Sequence, residues 1–121
     1  MNRDKLTEMF KLQKRLQSQL GVYKKIKTSK DKQQYINQMI LALHEEAVEI
    51  MRETCYKNPD YVKFGWKLGQ KENIENFKEE IVDLMHFLLN LSIIGGMGPN
   101  EFYNRYIGKN KENHKRKQNG Y

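Results

Sequence analysis

Two acidic motifs, far apart along the chain, carry the side chains best suited to chemistry. One reads EEAVE from Glu45 and the other reads EEIVD from Glu79. In each motif two acids lie three positions apart, which on an α-helix separates them by about 60° around the axis. Each pair therefore projects toward one place. The four acids of the two pairs are Glu46, Glu49, Glu80 and Asp83.

The apolar residues around these motifs follow a helical period. The stripe around the first motif consists of Ile36, Met39, Ile40, Leu43, Ala47 and Ile50. The stripe around the second consists of Ile74, Phe77, Ile81, Leu84, Met85, Leu88 and Leu91. At about 100° per residue, Glu46 falls at the edge of the first stripe and Glu80 interrupts the second. Packing the two stripes together would bring the acid pairs near each other.

Four carboxylates in one partly dry site repel one another by several kcal/mol, at an effective dielectric of about 20. Protonation or a bound hard cation relieves this repulsion, and all-oxygen ligands suit Mg²⁺ or Mn²⁺. The simpler alternative is that the acids of the first motif form ordinary ion pairs with Arg52. A zinc site is not favoured, because Cys55 is alone and neither His44 nor His86 has the spacing of zinc ligands.

Three long helical segments and one short one must position these acids. The predicted helices run from Asp4 to Leu20, Tyr35 to Thr54, Asn73 to Ile94, and Glu101 to Ile107. Gly21 and the pair Gly95-Gly96 are expected to end the first and third helices, and Pro99 is expected in the first turn of the last. Residues 56–72 are predicted to be a loop, and the polar tail from Lys109 is expected to order only on binding. No alternating strand pattern is present, so the sequence predicts an all-α fold, an antiparallel helical bundle.

The composition of the chain favours one thin-cored domain. The 121 residues are only 38% hydrophobic, and mean hydropathy is -0.89. A second subunit is therefore expected to complete the core. A single cysteine excludes a disulfide within the chain, and no signal peptide or membrane span is recognised, so we expect a cytoplasmic location.

The net charge of +7 is unevenly distributed. Residues 1–35 contain ten Lys or Arg and three Asp or Glu. Residues 36–102 contain six Lys or Arg and eleven Asp or Glu, and residues 103–121 contain six Lys or Arg and one Glu. Basic ends thus flank an acidic middle. Charge alone leaves two readings open: a nucleic-acid binder with solvated charged faces, or a cation-binding centre with basic arms that hold phosphates.

The paired acid motifs resemble those of the all-α nucleoside triphosphate pyrophosphohydrolases, a superfamily that includes the MazG-like enzymes and the dimeric dUTPases. Other segments look like the dimeric dUTPases, including a phage-type version. These segments are Leu12-Gln13-x-x-Leu16, Lys63-Phe64-Gly65-Trp66-Lys67, Asp83-x-x-His86-Phe87, and the tail Tyr106-x-x-Lys109-Asn110-x-x-Asn113-x-x-Arg116 through Gly120-Tyr121. The chain departs from the pattern in three ways. It is short for a dimeric dUTPase, Gly65 lies between Phe64 and Trp66, and Lys117 follows Arg116 where a glutamine is expected.

The resemblance implies a catalytic domain over residues 1–108, a phosphate-contacting tail over residues 109–121, and a homodimer or homotetramer. It implies hydrolysis of dUTP to dUMP and pyrophosphate, with water attacking the α-phosphorus. It implies that Mg²⁺, or Mn²⁺ in its place, is held by Glu46, Glu49, Glu80 and Asp83, with Glu45 assisting the water. The implied substrate-binding residues are Gln13, Trp66, Lys67, Phe87, Lys109, Asn110, Asn113 and Arg116.

Other functions remain open. The same site accommodates dCTP or a wider range of deoxynucleoside triphosphates. A basic helical nucleic-acid-binding protein is an alternative of another class, as is a purely structural oligomerisation bundle. Both leave the inward-leaning carboxylates unexplained, so binding of nucleic acid is not expected.

Overall fold

The computed structural model describes residues 4–53 and 74–120, and within these ranges the chain is helical with no β-strand. The helices are α1 (Lys5–Gln19), α2 (Val22–Lys25), α3 (Ser29–Arg52), α4 (Ile74–Ile94) and α5 (Pro99–Gln118). The predicted all-α helical fold is confirmed. The chain divides into two compact units, one of residues 1–25 and 92–121 and one of residues 26–91. The division into a domain and a tail at Lys109 stays a prediction.

Helix α1 begins at a side-chain cap. One carboxylate oxygen of Asp4 accepts a hydrogen bond from the backbone N–H of Leu6 at 3.2 Å, and the other accepts one from the Thr7 hydroxyl at 2.7 Å. The first of these bonds satisfies a backbone donor that the helix N-terminus leaves free. The helix ends before Gly21, as expected, and the positive φ of 74° at Gly21 allows the chain to turn into α2.

Helix α3 begins six residues before the predicted start at Tyr35, so that prediction was wrong. The reason is a capping box. The Thr28 hydroxyl accepts from the Asp31 N–H, and the Asp31 carboxylate accepts from the Thr28 N–H, both at 3.1 Å. The lysine-rich segment has no apolar periodicity, but a cap of this kind can start a helix without one. The predicted end at Thr54 lies outside the described residues, and α3 ends at Arg52.

Helix α4 ends where the glycine pair predicted. The backbone N–H of Gly96 bonds to the Ile93 carbonyl and that of Met97 to the Ser92 carbonyl, which is the Schellman arrangement. Gly96 has a φ of 82°, a conformation that favours glycine. Pro99 then opens α5 in its first turn, as expected.

Helix α5 is far longer than the predicted helix from Glu101 to Ile107, and the segment from Lys109 to Gln118 is helical. The prediction treated the polar residues after Ile107 as the end of the helix. Ion pairs along the helix, such as Arg105 with Glu101 at 2.7 Å, support helical structure in a polar segment. Three basic residues in the last turn also face the negative end of the helix dipole.

Few apolar side chains are buried. Among the described residues, only Phe10 and Leu89 belong to the buried hydrophobic class, at 5% and 3% exposure. In the first unit Phe10 packs edge-on against Phe102, with ring centroids 5.9 Å apart, so α1 and α5 are held together by aromatic contact. Within the described ranges, no single helix is long and apolar enough to cross a membrane.

Candidate metal centre

Helices α3 and α4 run antiparallel and bring the two acid motifs together. The Asn90 amide donates a hydrogen bond to the Met39 sulfur at 3.8 Å. Seven residues further along α3 lies Glu46, and seven residues earlier on α4 lies Asp83. Carboxylate oxygens of Glu46, Glu80 and Asp83 lie within 4.8 Å of one another. The helical repeat on two antiparallel helices thus builds the cluster that the spacing predicted.

The surroundings of these carboxylates differ. Glu46 and Glu80 are half-buried, whereas Asp83 is exposed. The Oε2 atoms of Glu46 and Glu80 are both buried, and in the described part of the chain neither has a hydrogen-bond partner. A buried carboxylate oxygen without a donor is costly in free energy. These two atoms are suited to a ligand that supplies positive charge.

Burial and hydrogen bonding between the carboxyl groups raise the pKa of three of the acids, and charge repulsion adds to this. Burial raises the pKa of Glu46, and the negative charges of Glu49 and Asp83 raise it further. A hydrogen bond with the Glu46 carboxyl raises the pKa of Glu80, with burial adding to the effect. A hydrogen bond with Glu80 likewise raises the pKa of Glu49. Glu49 therefore belongs to the same cluster, and all four predicted acids interact.

The clustered donor atoms are carboxylate oxygens of Glu46, Glu80 and Asp83, and Glu49 interacts with Glu80 beside them. Hard divalent cations such as Mg²⁺ prefer this chemistry, whereas zinc sites are dominated by sulfur and nitrogen ligands. His86 lies one turn beyond Asp83 on α4, and its Nδ1 atom lies 3.0 Å from the Val82 carbonyl. This ring nitrogen therefore contacts the backbone of its own helix. The residues present fit a magnesium or manganese site.

Glu45 occupies a different position from its neighbour Glu46. It is exposed on α3, and its negative charge contributes to the raised pKa of Glu49. It is therefore close to the cluster but outside the half-buried pair. At about 100° per residue, Glu45 lies on a different face of α3 from Glu46. Its role stays a prediction.

The predicted base-reading residues fall in different environments. Gln13 lies on α1 and is buried, with 5% of its surface exposed. Phe87 is half-buried on α4, four residues and about one turn beyond Asp83. Trp66 lies outside the described residues. Of the two that are described, Phe87 lies on a helix that carries an acid motif and Gln13 does not.

Four of the predicted phosphate- or sugar-contacting residues lie on α5 and are exposed: Lys109, Asn110, Asn113 and Arg116. The fifth, Lys67, lies outside the described residues. Both cations on α5 form ion pairs with Glu112. Sequence reasoning missed Glu112, although its spacing of three and four residues from the two cations was visible. That spacing is the signal that would have identified it.

The fold and the site together define a class of protein: it is all-helical, and two antiparallel helices contribute four interacting carboxylates. Residues 5–104 match a family described as dUTPase, and because the match covers most of the chain, the chain belongs to that family. The resemblance drawn from the acid motifs is confirmed at this level.

A stretch of 55 residues is 38% identical to the dCTP pyrophosphatase of Enterobacteria phage T4. The stretch covers 46% of this chain and 32% of the phage protein. The matched segment thus spans about a third of that relative's length. No solved structure matches this chain.

Proposed function

We propose that this protein is a metal-dependent nucleoside triphosphate pyrophosphohydrolase that converts dUTP to dUMP and pyrophosphate. One observation carries the proposal. Glu46, Glu80 and Asp83 place carboxylate oxygens within 4.8 Å of one another, in a chain of the dUTPase family. No cationic side chain of the described residues forms an ion pair with these acids, and the Arg52 side chain of the ion-pair alternative lies outside the described part.

Mg²⁺ is the proposed cofactor, with Mn²⁺ able to replace it, and Glu46, Glu49, Glu80 and Asp83 are its proposed ligands. The support is the pair of buried Oε2 atoms that accept no hydrogen bond in the described part of the chain. When bound, the cation would neutralise triphosphate charge and activate a water molecule. The protein's part is to hold the acids in fixed geometry on two packed helices.

The remaining roles follow the family resemblance. Glu45 is proposed to orient or deprotonate the attacking water, and the alternative is a solvated surface acid. Lys67, Lys109, Asn110, Asn113 and Arg116 are proposed to hold the phosphates and sugar. Gln13 is proposed to read the base edge, because an amide offers both a donor and an acceptor. Trp66 and Phe87 are proposed to stack on the base.

A second substrate has its own support. The phage T4 relative carries the name dCTP pyrophosphatase, so dCTP hydrolysis at the same site is the second candidate. A broader deoxynucleotide range belongs with it. The alternative of another class is nucleic-acid binding through the exposed basic residues of α1 and α5. It predicts affinity that falls steeply with salt and needs no magnesium.

Product analysis tests the proposal. The purified protein is incubated with dUTP, dCTP, dTTP or dATP, with Mg²⁺ or with EDTA, and nucleotide products and pyrophosphate are quantified. We expect dUMP and pyrophosphate in equal amounts, only with the metal. Turnover of dCTP in preference to dUTP would favour the second candidate. No turnover of any triphosphate with Mg²⁺ or Mn²⁺ would reject the enzyme class.

We further propose a homodimer or homotetramer in the cytoplasm. The thin core supports the proposal of an oligomer. Large apolar side chains are exposed on every long helix, including Leu12 at 58%, Leu41 at 66% and Val82 at 51%. Covering such residues releases about 25 cal/mol for each Å² of apolar surface buried. Light scattering in solution measures the assembly directly.

A further inference from the structure

Glu112 is the only acid in the basic C-terminal segment. Residues 103–121 contain six Lys or Arg and this single glutamate. On α5 it lies three residues after Lys109 and four residues before Arg116, so all three lie along one side of the helix.

The carboxylate of Glu112 contacts both of these cations. Its Oε1 lies 2.7 Å from Arg116 Nη2, and its Oε2 lies 3.4 Å from Lys109 Nζ. The lysines of the same segment at positions 111, 115 and 117 form no ion pair in the described part of the chain. The single acid is therefore engaged with the two cations to which the family resemblance assigns phosphate contacts.

We propose that Glu112 is an internal anion that occupies Lys109 and Arg116 and competes with the phosphates of the substrate for them. This inference rests on the proposed function, because it takes these two residues as phosphate contacts. Glu112 then sets the affinity for polyphosphate without touching the reacting atoms. It is a positioning residue and not a catalytic one.

Two effects of Glu112 oppose each other. Its ion pairs keep two flexible side chains together, which favours binding, and its negative charge repels the incoming phosphates, which disfavours binding. The pairs are exposed, with 73% of the Lys109 side chain and 52% of the Arg116 side chain open to solvent. Exposed ion pairs contribute little to ordering. A polyphosphate carries several negative charges, each repelled by the carboxylate, so the repulsion prevails.

Binding of inorganic tripolyphosphate to the full chain tests the inference. Titration calorimetry in EDTA, at about 0.1 M and 1 M salt, compares the native protein with Glu112→Gln and Glu101→Gln. Glu101 makes a comparable pair with Arg105 at 2.7 Å on the same helix and is the matched control. We expect Glu112→Gln to lower Kd several-fold at 0.1 M salt and much less at 1 M, where charges are screened beyond about 3 Å. Glu101→Gln should change Kd by less than twofold.

An unchanged or higher Kd in Glu112→Gln would overturn the inference. The variant Glu112→Asp keeps the charge and weakens helix propensity. Glu112→Asp should bind tripolyphosphate like the native protein. An increase in affinity equal to that of Glu112→Gln would also overturn the inference. Far-UV circular dichroism establishes whether α5 stays helical in both.

The result is separable from the proposed enzymatic function. If the native protein hydrolyses no triphosphate but Glu112→Gln still tightens tripolyphosphate binding, the proposed function fails and the role of Glu112 stands. If hydrolysis occurs and Glu112→Gln leaves tripolyphosphate affinity unchanged, only the role of Glu112 fails.

Discussion

Adjacent acids on α4 differ in what surrounds their carboxylates. Glu80 is half-buried, holds a buried oxygen without a hydrogen bond among the described residues, and interacts with Glu46 across the helix pair. Glu79, one position earlier, is exposed. A rotation of about 100° per residue is enough to separate a cluster member from a surface acid. The two residues therefore form a natural pair for comparison.

We expect Glu80→Gln to reduce turnover at least a hundredfold, because a neutral amide is a poorer ligand for a hard cation. A hundredfold loss corresponds to about 2.7 kcal/mol of transition-state stabilisation. Steady-state kcat with dUTP and Mg²⁺ measures the effect. The matched change Glu79→Gln should leave kcat within about twofold. Equal activity in both variants would remove Glu80 from the proposed metal centre.

The fold at the level of elements depends on helix starts as much as on apolar stripes. The first six residues of α3 precede the apolar stripe and are strongly polar. Helical nucleation is unfavourable by itself, so a polar turn needs a cap. The reciprocal bonds between Thr28 and Asp31 supply it, and the Asp31 carboxylate also accepts from the Lys27 N–H at 3.1 Å.

Removal of this cap should destabilise the protein measurably. We expect Thr28→Ala to lower the free energy of unfolding by about 1 kcal/mol, the usual contribution of an N-cap side chain. Urea denaturation monitored by circular dichroism gives the value. Thr28→Ser keeps the hydroxyl and should lose less than half as much. A Thr28→Ala protein as stable as the native one would show that the cap is not needed.

At the scale of the whole molecule, the acid cluster lowers the stability of a protein whose core is already thin. Only two apolar residues of the described chain are buried, so the stabilisation from packing is small. Meanwhile Glu46, Glu49 and Glu80 have raised pKa values, which means that the folded protein holds their protons more tightly than the unfolded chain does. Stability then depends on what neutralises the cluster: protons at low pH, and the proposed cation at neutral pH.

We expect the metal-free protein to lose stability as the pH rises above the ordinary glutamate pKa of 4.5. In this window the folded state binds more protons than the unfolded state, so the free energy of unfolding falls with pH until the raised pKa values are passed. Urea denaturation in EDTA at about pH 5 and pH 7 measures the fall. Asp4 and Asp31, whose pKa values are lowered from 3.8, contribute only below this window.

Two comparisons isolate the cluster. Glu80→Gln should show a smaller fall between the two pH values, and Mg²⁺ at a hundred times its Kd should raise the stability of the native protein at pH 7 by about 2.7 kcal/mol. A stability that rises from pH 5 to pH 7 in EDTA and ignores Mg²⁺ would contradict the electrostatic account of the site.

Features that depend on neighbouring residues were determined by the sequence alone. The apolar period predicted the helical class, Gly96 and Pro99 marked the boundary between α4 and α5, and the three-residue spacing of the acids predicted two carboxylate pairs. Each follows from the geometry of one helix. Where local signals were misjudged, as at the capping box of α3 and the ion pairs of α5, the predicted helix bounds were wrong.

Only the tertiary structure decided which distant residues meet. The register of α3 against α4 brings Glu46 to Glu80 and Asp83, and burial leaves one oxygen each on Glu46 and Glu80 without a donor among the described residues. No local pattern fixes that register, because it is set by side chains of two helices packing against each other. The same packing explains why pKa values rise at this cluster, since desolvation and charge repulsion act through space and not along the chain.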